Sequence, residues 1–118
     1  MGIKYYSKCD TNSATCVLDI VTVTAPLSTS KVEDKVQIFI SGAFHGDERY
    51  GPHVSIYLIE FLASNYLKDD YITNLLNTRE FVILPMTNPH GFFANTRESI
   101  DNMKNLSVDM NRDFPYNN

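Results

Sequence analysis

Val36-Gln37-Ile38-Phe39-Ile40-Ser41-Gly42-Ala43-Phe44-His45-Gly46-Asp47-Glu48 is the stretch that decides the fold of this chain. Its first half is a nearly continuous apolar run, the pattern of a strand covered on both faces, and predicts a strand over 35–44. Arg49-Tyr50-Gly51-Pro52 follows and opens a helical pattern, with Pro52 as a favoured first-turn residue. Val54, Ile56, Tyr57, Leu58, Phe61, Leu62 and Tyr66 place an amphipathic helix over 52–66. His45 and Glu48 therefore stand where a buried strand gives way to a helix, the end of the strand at which α/β proteins gather ligands. An imidazole and a carboxylate three residues apart can face one metal ion, with Gly42 and Gly46 letting the backbone turn sharply. Spacing alone equally describes an exposed loop histidine beside a first-turn glutamate that merely favours the helix dipole.

Working outward, residues 16–24 (Cys-Val-Leu-Asp-Ile-Val-Thr-Val-Thr) are rich in β-branched side chains and read as a strand, broken by Pro26 and the Ser28-Thr29-Ser30 cluster. Asp69-Asp70 caps a shorter helix through Leu75-Leu76. Residues 80–86, Glu-Phe-Val-Ile-Leu-Pro-Met, read as another buried strand, and Asn88-Pro89-His90-Gly91 as a turn. Strand, helix, strand with buried strands on either side is a βαβ unit, so the expected class is α/β: a mixed, mostly parallel sheet flanked by helices.

The 118 residues suit one domain, and the formal net charge of −4 comes without a basic cluster, which argues against a nucleic-acid partner. The apolar stretches are far shorter than a membrane span, and the first residues lack the apolar core of a leader, which favours a cytoplasmic chain. Gly2 does not make a myristoylation site, because position six is Tyr6. Cys9 and Cys16 are too few to be a disulfide framework; two free thiols or one small loop both fit. Asn105-Leu106-Ser107 is a glycosylation sequon, too short a pattern to decide the compartment.

Two further polar groups stand late in the chain. Arg112 in Asn111-Arg112 offers a rigid fork that matches a carboxylate's two oxygens, and Asn111 adds an amide donor. Read in isolation, Arg112 is a surface residue paired with Asp109 or Asp113. Arg97, in Asn95-Thr96-Arg97-Glu98, suits stabilisation of an oxyanion near a metal; its plain reading is a neighbour of Glu98 on a solvated turn.

His45-x-x-Glu48, then Pro85-Met86-Thr87-Asn88-Pro89-His90-Gly91-Phe92, then Arg97, then Asp109-Met110-Asn111-Arg112-Asp113-Phe114-Pro115 together resemble the zinc metallocarboxypeptidase family, from the second strand to the final residue. The resemblance implies a zinc hydrolase acting at the C-terminus of a peptide or protein. His45 and Glu48 match the first two zinc ligands, Arg97 the arginine that polarises the scissile carbonyl, and Asn111 and Arg112 the pair that binds the terminal carboxylate. Two features depart from the family pattern: His90 stands where an aspartate is usual, and Ser99 to Ser107 reads as an inserted loop.

The family's third zinc ligand is a histidine downstream of the Asn-Arg pair, and its general-base glutamate lies further still. The resemblance therefore implies that residues 1–118 are the N-terminal portion of a catalytic domain, inactive in isolation. The sheet would then be incomplete on its C-terminal side, with an open edge prone to self-association. His53 lies five residues past Glu48 on the same predicted helix and turns away from it, and His90 reads as a turn histidine. The aspartoacylase and desuccinylase relatives share a His-Gly-x-Glu and an Asp-x-Asn-Arg-x-Phe-Pro stretch, so a zinc deacylase of N-acyl amino acids is the alternative chemistry. A metal-free carboxylate-binding module is a third.

Overall fold

The computed structural model describes residues 17–26, 35–101, 106–112 and 114–115. Cys9, Cys16 and the glycosylation sequon's Asn105 lie outside them. Three strands, β1 (Val21–Val23), β2 (Val36–Ser41) and β3 (Arg79–Leu84), form one sheet in the order β1-β3-β2. Two helices, α1 (Tyr50–Asn65) and α2 (Asp70–Thr78), connect β2 to β3. The β2–β3 pairing is parallel, from Val36 opposite Arg79 to Ser41 opposite Leu84, while β1 runs antiparallel to β3. The βαβ unit read from the sequence is thus present in a mixed α/β arrangement.

The register sorts the side chains. Val21, Val23, Ile38, Ile40, Phe81 and Ile83 share one face and pack against Ile59 and Leu62 of α1 and Ile72 and Leu76 of α2. Ile83 is fully buried at the centre. The buried positions of α1 are Pro52, Ser55, Ile59 and Leu62, spaced three and four apart as one helical stripe requires. The other sheet face carries Thr22, Phe39 and Val82, and Phe39 is 62% exposed. The expectation that β2 is covered on both faces therefore fails among the described residues, where both helices lie on one side.

Several boundaries move. The predicted strand over 16–24 is ordered as strand only at Val21–Val23, the residues that find partners on β3; Val17, Leu18 and Ile20 are exposed. β2 stops at Ser41 because Ala43 takes a left-handed conformation, φ 51°. α1 starts two residues before Pro52, with Arg49 as its N-cap residue. The Asp69 cap is as read: its carboxylate accepts the Ile72 amide at 2.9 Å. The predicted turn at Asn88–Gly91 instead opens a short helix, α3 (Pro89–Ala94), because Pro89 sits at its first turn and the Asn88 side chain caps it. The stretch read as an inserted loop is a hairpin of β4 (Ser99–Asp101) and β5 (Leu106–Val108). Among the described residues, no helix is long and apolar enough to cross a membrane.

Lys35 closes the core at the end of the sheet away from His45. It is only 7% exposed, and its ammonium donates to Thr24 Oγ1 at 2.8 Å, Leu76 O at 3.1 Å and Ala25 O at 3.3 Å. Three acceptors match its three protons, which is what permits a buried ammonium without a carboxylate. Lys35→Met is expected to lower stability by about 1–3 kcal/mol, because acceptors are left short of donors in an apolar setting. Urea unfolding of the two proteins measures this, and equal midpoints would contradict it.

Candidate metal centre

The loop between β2 and α1 owes its shape to backbone hydrogen bonds from its neighbours. Thr87 and Asn88 donate their amides to Gly42 O and Ala43 O, each at 2.9 Å, continuing the β2–β3 alignment past the strand ends. Asn88 is only 1% exposed. Its amide nitrogen donates to Phe44 O at 3.3 Å and Arg97 O at 3.4 Å, and its side-chain oxygen accepts the Gly91 amide at 2.9 Å. One buried side chain thus ties the His45 loop, α3 and the Arg97 segment together. The Gly46 amide adds a direct link, donating to Arg97 O at 3.1 Å.

Gly42 and Gly46 do not act through the turning freedom expected of them. No described glycine has a positive φ; the left-handed residue in this loop is Ala43. Gly46 is required for space, since a Cβ there would lie 2.0 Å from the Gly91 carbonyl carbon. A non-glycine residue held left-handed costs of order 1 kcal/mol, a strain of the sort found at binding loops.

His45 is buried at 5% exposure and held from both sides. Its Nδ1 stands 3.0 Å from Glu48 Oε1, and its Nε2 stands 3.1 Å from Asp109 Oδ1. Carboxylates only accept, so the ring satisfies both neighbours with a proton or another cation on each nitrogen. On the Nδ1 side, a metal ion can take that place between imidazole and carboxylate. Two ligand atoms 2.0–2.1 Å from a tetrahedral zinc stand about 3.3 Å apart, so the 3.0 Å separation needs only a small opening. The donor set and its spacing fit zinc. Among the described residues, no group of three or more His, Cys, Asp or Glu side chains converges as a metal site. Asp109 does not count toward one, because it meets the far side of the ring.

Arg97 lies over this pair. Its Nε is 3.4 Å from Asp109 Oδ2 and its Nη1 is 3.7 Å from Glu48 Oε1. The structure brings His45, Glu48 and Arg97 to one place, together with Asp109, which the sequence offered only as a partner of Arg112. A signal was present: an aspartate two residues before Asn111, and the tendency of a ligating histidine to present its other N–H to a carboxylate. Among the described residues Arg112 makes no ion pair with Asp109, one of its two plain partners; the other, Asp113, lies outside them. Asn111 and Arg112 sit on a 3₁₀ turn (Met110–Arg112) and are exposed. The Asp109 carboxylate accepts the Asn111 amide at 2.9 Å, which shapes that turn, and Phe114 packs on Phe44 with ring centroids 5.8 Å apart, which draws the segment onto the His45 loop.

His53 and His90 are elsewhere. The His53 Nδ1 donates to Arg49 O at 2.7 Å on an exposed helix face. His90 is the second residue of α3 and lines a pocket with Ser99, Ile100, Leu106 and Val108 of the β4–β5 hairpin.

Burial pushes the Asp109 carboxyl up, but the hydrogen bond from His45, the Asn111 amide and the Arg97 charge outweigh it, so the group ionises below its ordinary value. The sign follows: a depressed folded pKa contributes stability above the unfolded aspartate value, and loses it as pH falls through the folded one. In a carboxyl ¹³C titration Asp109 is expected to have a lower midpoint than solvent-exposed aspartates, and His45→Ala to raise it. An unchanged midpoint in His45→Ala would break the link.

A histidine and a glutamate thus meet at the carboxyl end of a parallel strand, with a carboxylate behind the histidine and an arginine above, on an α/β sheet. The sequence profile of the zinc carboxypeptidase family matches residues 15–118, and the chain belongs to that family, whose cofactor is zinc. It is 38% identical to carboxypeptidase M of Mus musculus over 80 residues, 60% of this chain and 17% of that protein. Against carboxypeptidase Z of Mus musculus it is 36% identical over 89 residues, 67% of this chain and 13% of that protein. The crystal structure of thrombin activatable fibrinolysis inhibitor superposes with a TM-score of 0.71 at 22% identity, covering 82% of this chain and 25% of that one, a likeness of fold. The chain thus spans less than a fifth of the length of these two curated relatives.

Proposed function

We propose that residues 1–118 are the N-terminal portion of a zinc-dependent metallocarboxypeptidase domain that removes C-terminal amino acids from peptides or proteins. The observation that carries this reading is His45 held between Glu48 and Asp109 with Arg97 in reach of both carboxylates. His45 Nδ1 and the Glu48 carboxylate would hold the zinc. Asp109 fixes the imidazole's tautomer and direction through Nε2, and raises its basicity as a ligand. When bound, zinc supplies a lowered pKa to a water and polarises a carbonyl. Arg97 donates to the carbonyl oxygen as it gains charge. The exposed Asn111 and Arg112 grip the substrate's terminal carboxylate, with the arginine fork setting its orientation. Further strands beside β2, whose outer edge has no partner among the described residues, would make the sheet mostly parallel; without them the edge favours self-association.

On this reading the isolated chain is inactive, since two zinc ligands replace the usual three. The test is the protein made from the native gene, assayed on a hippuryl-type peptide and on N-acetyl-aspartate with and without a chelator. Chelator-sensitive release of the C-terminal residue is the expected result. Cleavage of N-acetyl-aspartate would assign the deacylase chemistry instead, and chelator-insensitive binding of C-terminal peptides without cleavage a carboxylate-binding module.

A further inference from the structure

We propose that Arg49 is a positioning residue that holds Arg97 over the His45–Glu48 pair by tying the first turn of α1 to the end of α3. The geometry stands by itself; only the consequence for catalysis rests on the functional reading above. Arg49 follows Glu48 directly and is the N-cap residue of α1, so its backbone belongs to the metal loop. Its side chain leaves that loop. Nη2 donates to Phe92 O at 2.7 Å and to Asn95 Oδ1 at 2.9 Å, and the guanidinium carbon sits 4.0 Å from the centre of the Phe92 ring.

These partners are the C-terminal end of α3. Within its own turn Phe92 O receives only a long bond from the Asn95 amide, at 3.4 Å, and a cation is favoured at a helix C-terminus. Asn95 ends the helix in a left-handed conformation, φ 55° and ψ 43°, and the Thr96 amide closes back on Gly91 O at 2.9 Å. Arg97 is the next residue, and its carbonyl is held by Gly46 and Asn88. The chain leaving α3 is thus pinned on both sides of Arg97's approach: by Arg49 at Phe92 and Asn95, and by Gly46 and Asn88 at Arg97 itself.

The choice of acceptors matters. Arg49 sits beside Asp47 and Glu48 yet bonds two neutral oxygens, which leaves the Glu48 carboxylate to His45 and Arg97. A lysine in its place can reach the two oxygens from one nitrogen, as Nη2 does, but brings no planar guanidinium to place over the Phe92 ring.

The test is amide hydrogen exchange and the Arg97 Nε–H resonance, read by NMR in the metal-free 118-residue chain. In Arg49→Ala, the Gly46 and Thr96 amides are expected to exchange about tenfold faster or more, while Val82 at the centre of the sheet does not change. The Arg97 Nε–H signal is expected to move toward that of a free arginine, and Arg49→Lys to fall between. Asn95→Gly keeps the left-handed backbone and removes one acceptor; the same changes are expected in the same direction, smaller. Unchanged Gly46, Thr96 and Arg97 signals in both Arg49→Ala and Asn95→Gly would overturn the proposal. So would an acceleration in Asn95→Gly that includes Val82 equally, because that reports lost stability alone. The measurement needs neither zinc nor substrate. A failed peptidase assay leaves it standing, and its own failure leaves the carboxypeptidase reading standing.

Discussion

Asp109→Asn is expected to weaken zinc binding by this chain about 10–100-fold, the usual cost of losing the carboxylate behind a ligating histidine. The asparagine side chain is close in shape and keeps an acceptor oxygen, so the loss is of charge and of a fixed tautomer. Asp109 offers an acceptor to a proton on Nε2, which leaves Nδ1 to face Glu48 and the metal. With an amide, the ring can donate or accept at Nε2 and spends part of its time with Nδ1 protonated. His45→Ala removes one of two donors, and stoichiometric binding should vanish. Calorimetric titration at neutral pH checks both, with binding by the unaltered chain expected to be weak. Tight stoichiometric binding by the unaltered chain would defeat the two-donor argument, and an Asp109→Asn affinity equal to it would remove Asp109 from the site. Acidification should weaken binding by the unaltered chain and by Asp109→Asn, because protons compete with the metal for its ligands.

Gly46→Ala is expected to cost about 3 kcal/mol or more, at or beyond the upper end of what overpacking usually does. The added methyl would meet the Gly91 carbonyl carbon at 2.0 Å, the Phe92 nitrogen at 2.3 Å and the Gly91 Cα at 2.5 Å. All three are backbone atoms, so no side chain can swing away. Relief requires the His45 loop and α3 to separate, which breaks the Gly46-to-Arg97 hydrogen bond and loosens the Asn88 contacts. Against a total stability of about 5–15 kcal/mol, this is a large share. Asp47→Ala, at an exposed neighbouring position, is the control and should stay within about 0.5 kcal/mol. Urea unfolding measures both, and a Gly46→Ala cost below about 1 kcal/mol would mean that the two backbones are not held together as described.

The two substitutions differ in how their sites could be read. His45, Glu48 and Arg97 were legible because each has side-chain chemistry suited to zinc or to an oxyanion, and their order resembles one family. Asp109 was read only as a neighbour of Arg112, since 64 positions separate it from the imidazole it meets. Asn88 read as a turn residue, and nothing local distinguishes a solvated turn asparagine from one that is buried and bonded to three segments. Gly46 was given the right importance for the wrong cause: glycine suggests conformational freedom, and here it allows two backbones to touch.

The sequence by itself determined the βαβ unit, the helix cap at Asp69 and the family, and it singled out His45, Glu48 and Arg97. Those rest on local periodicity and on side-chain types whose chemistry does not depend on neighbours. Only the tertiary structure decided which nitrogen of His45 faces which carboxylate, that Arg49 reaches across to α3, and that among the described residues both helices cover the same face of β2. Each of these depends on distances between segments far apart in the chain, and a one-dimensional pattern carries no such distances.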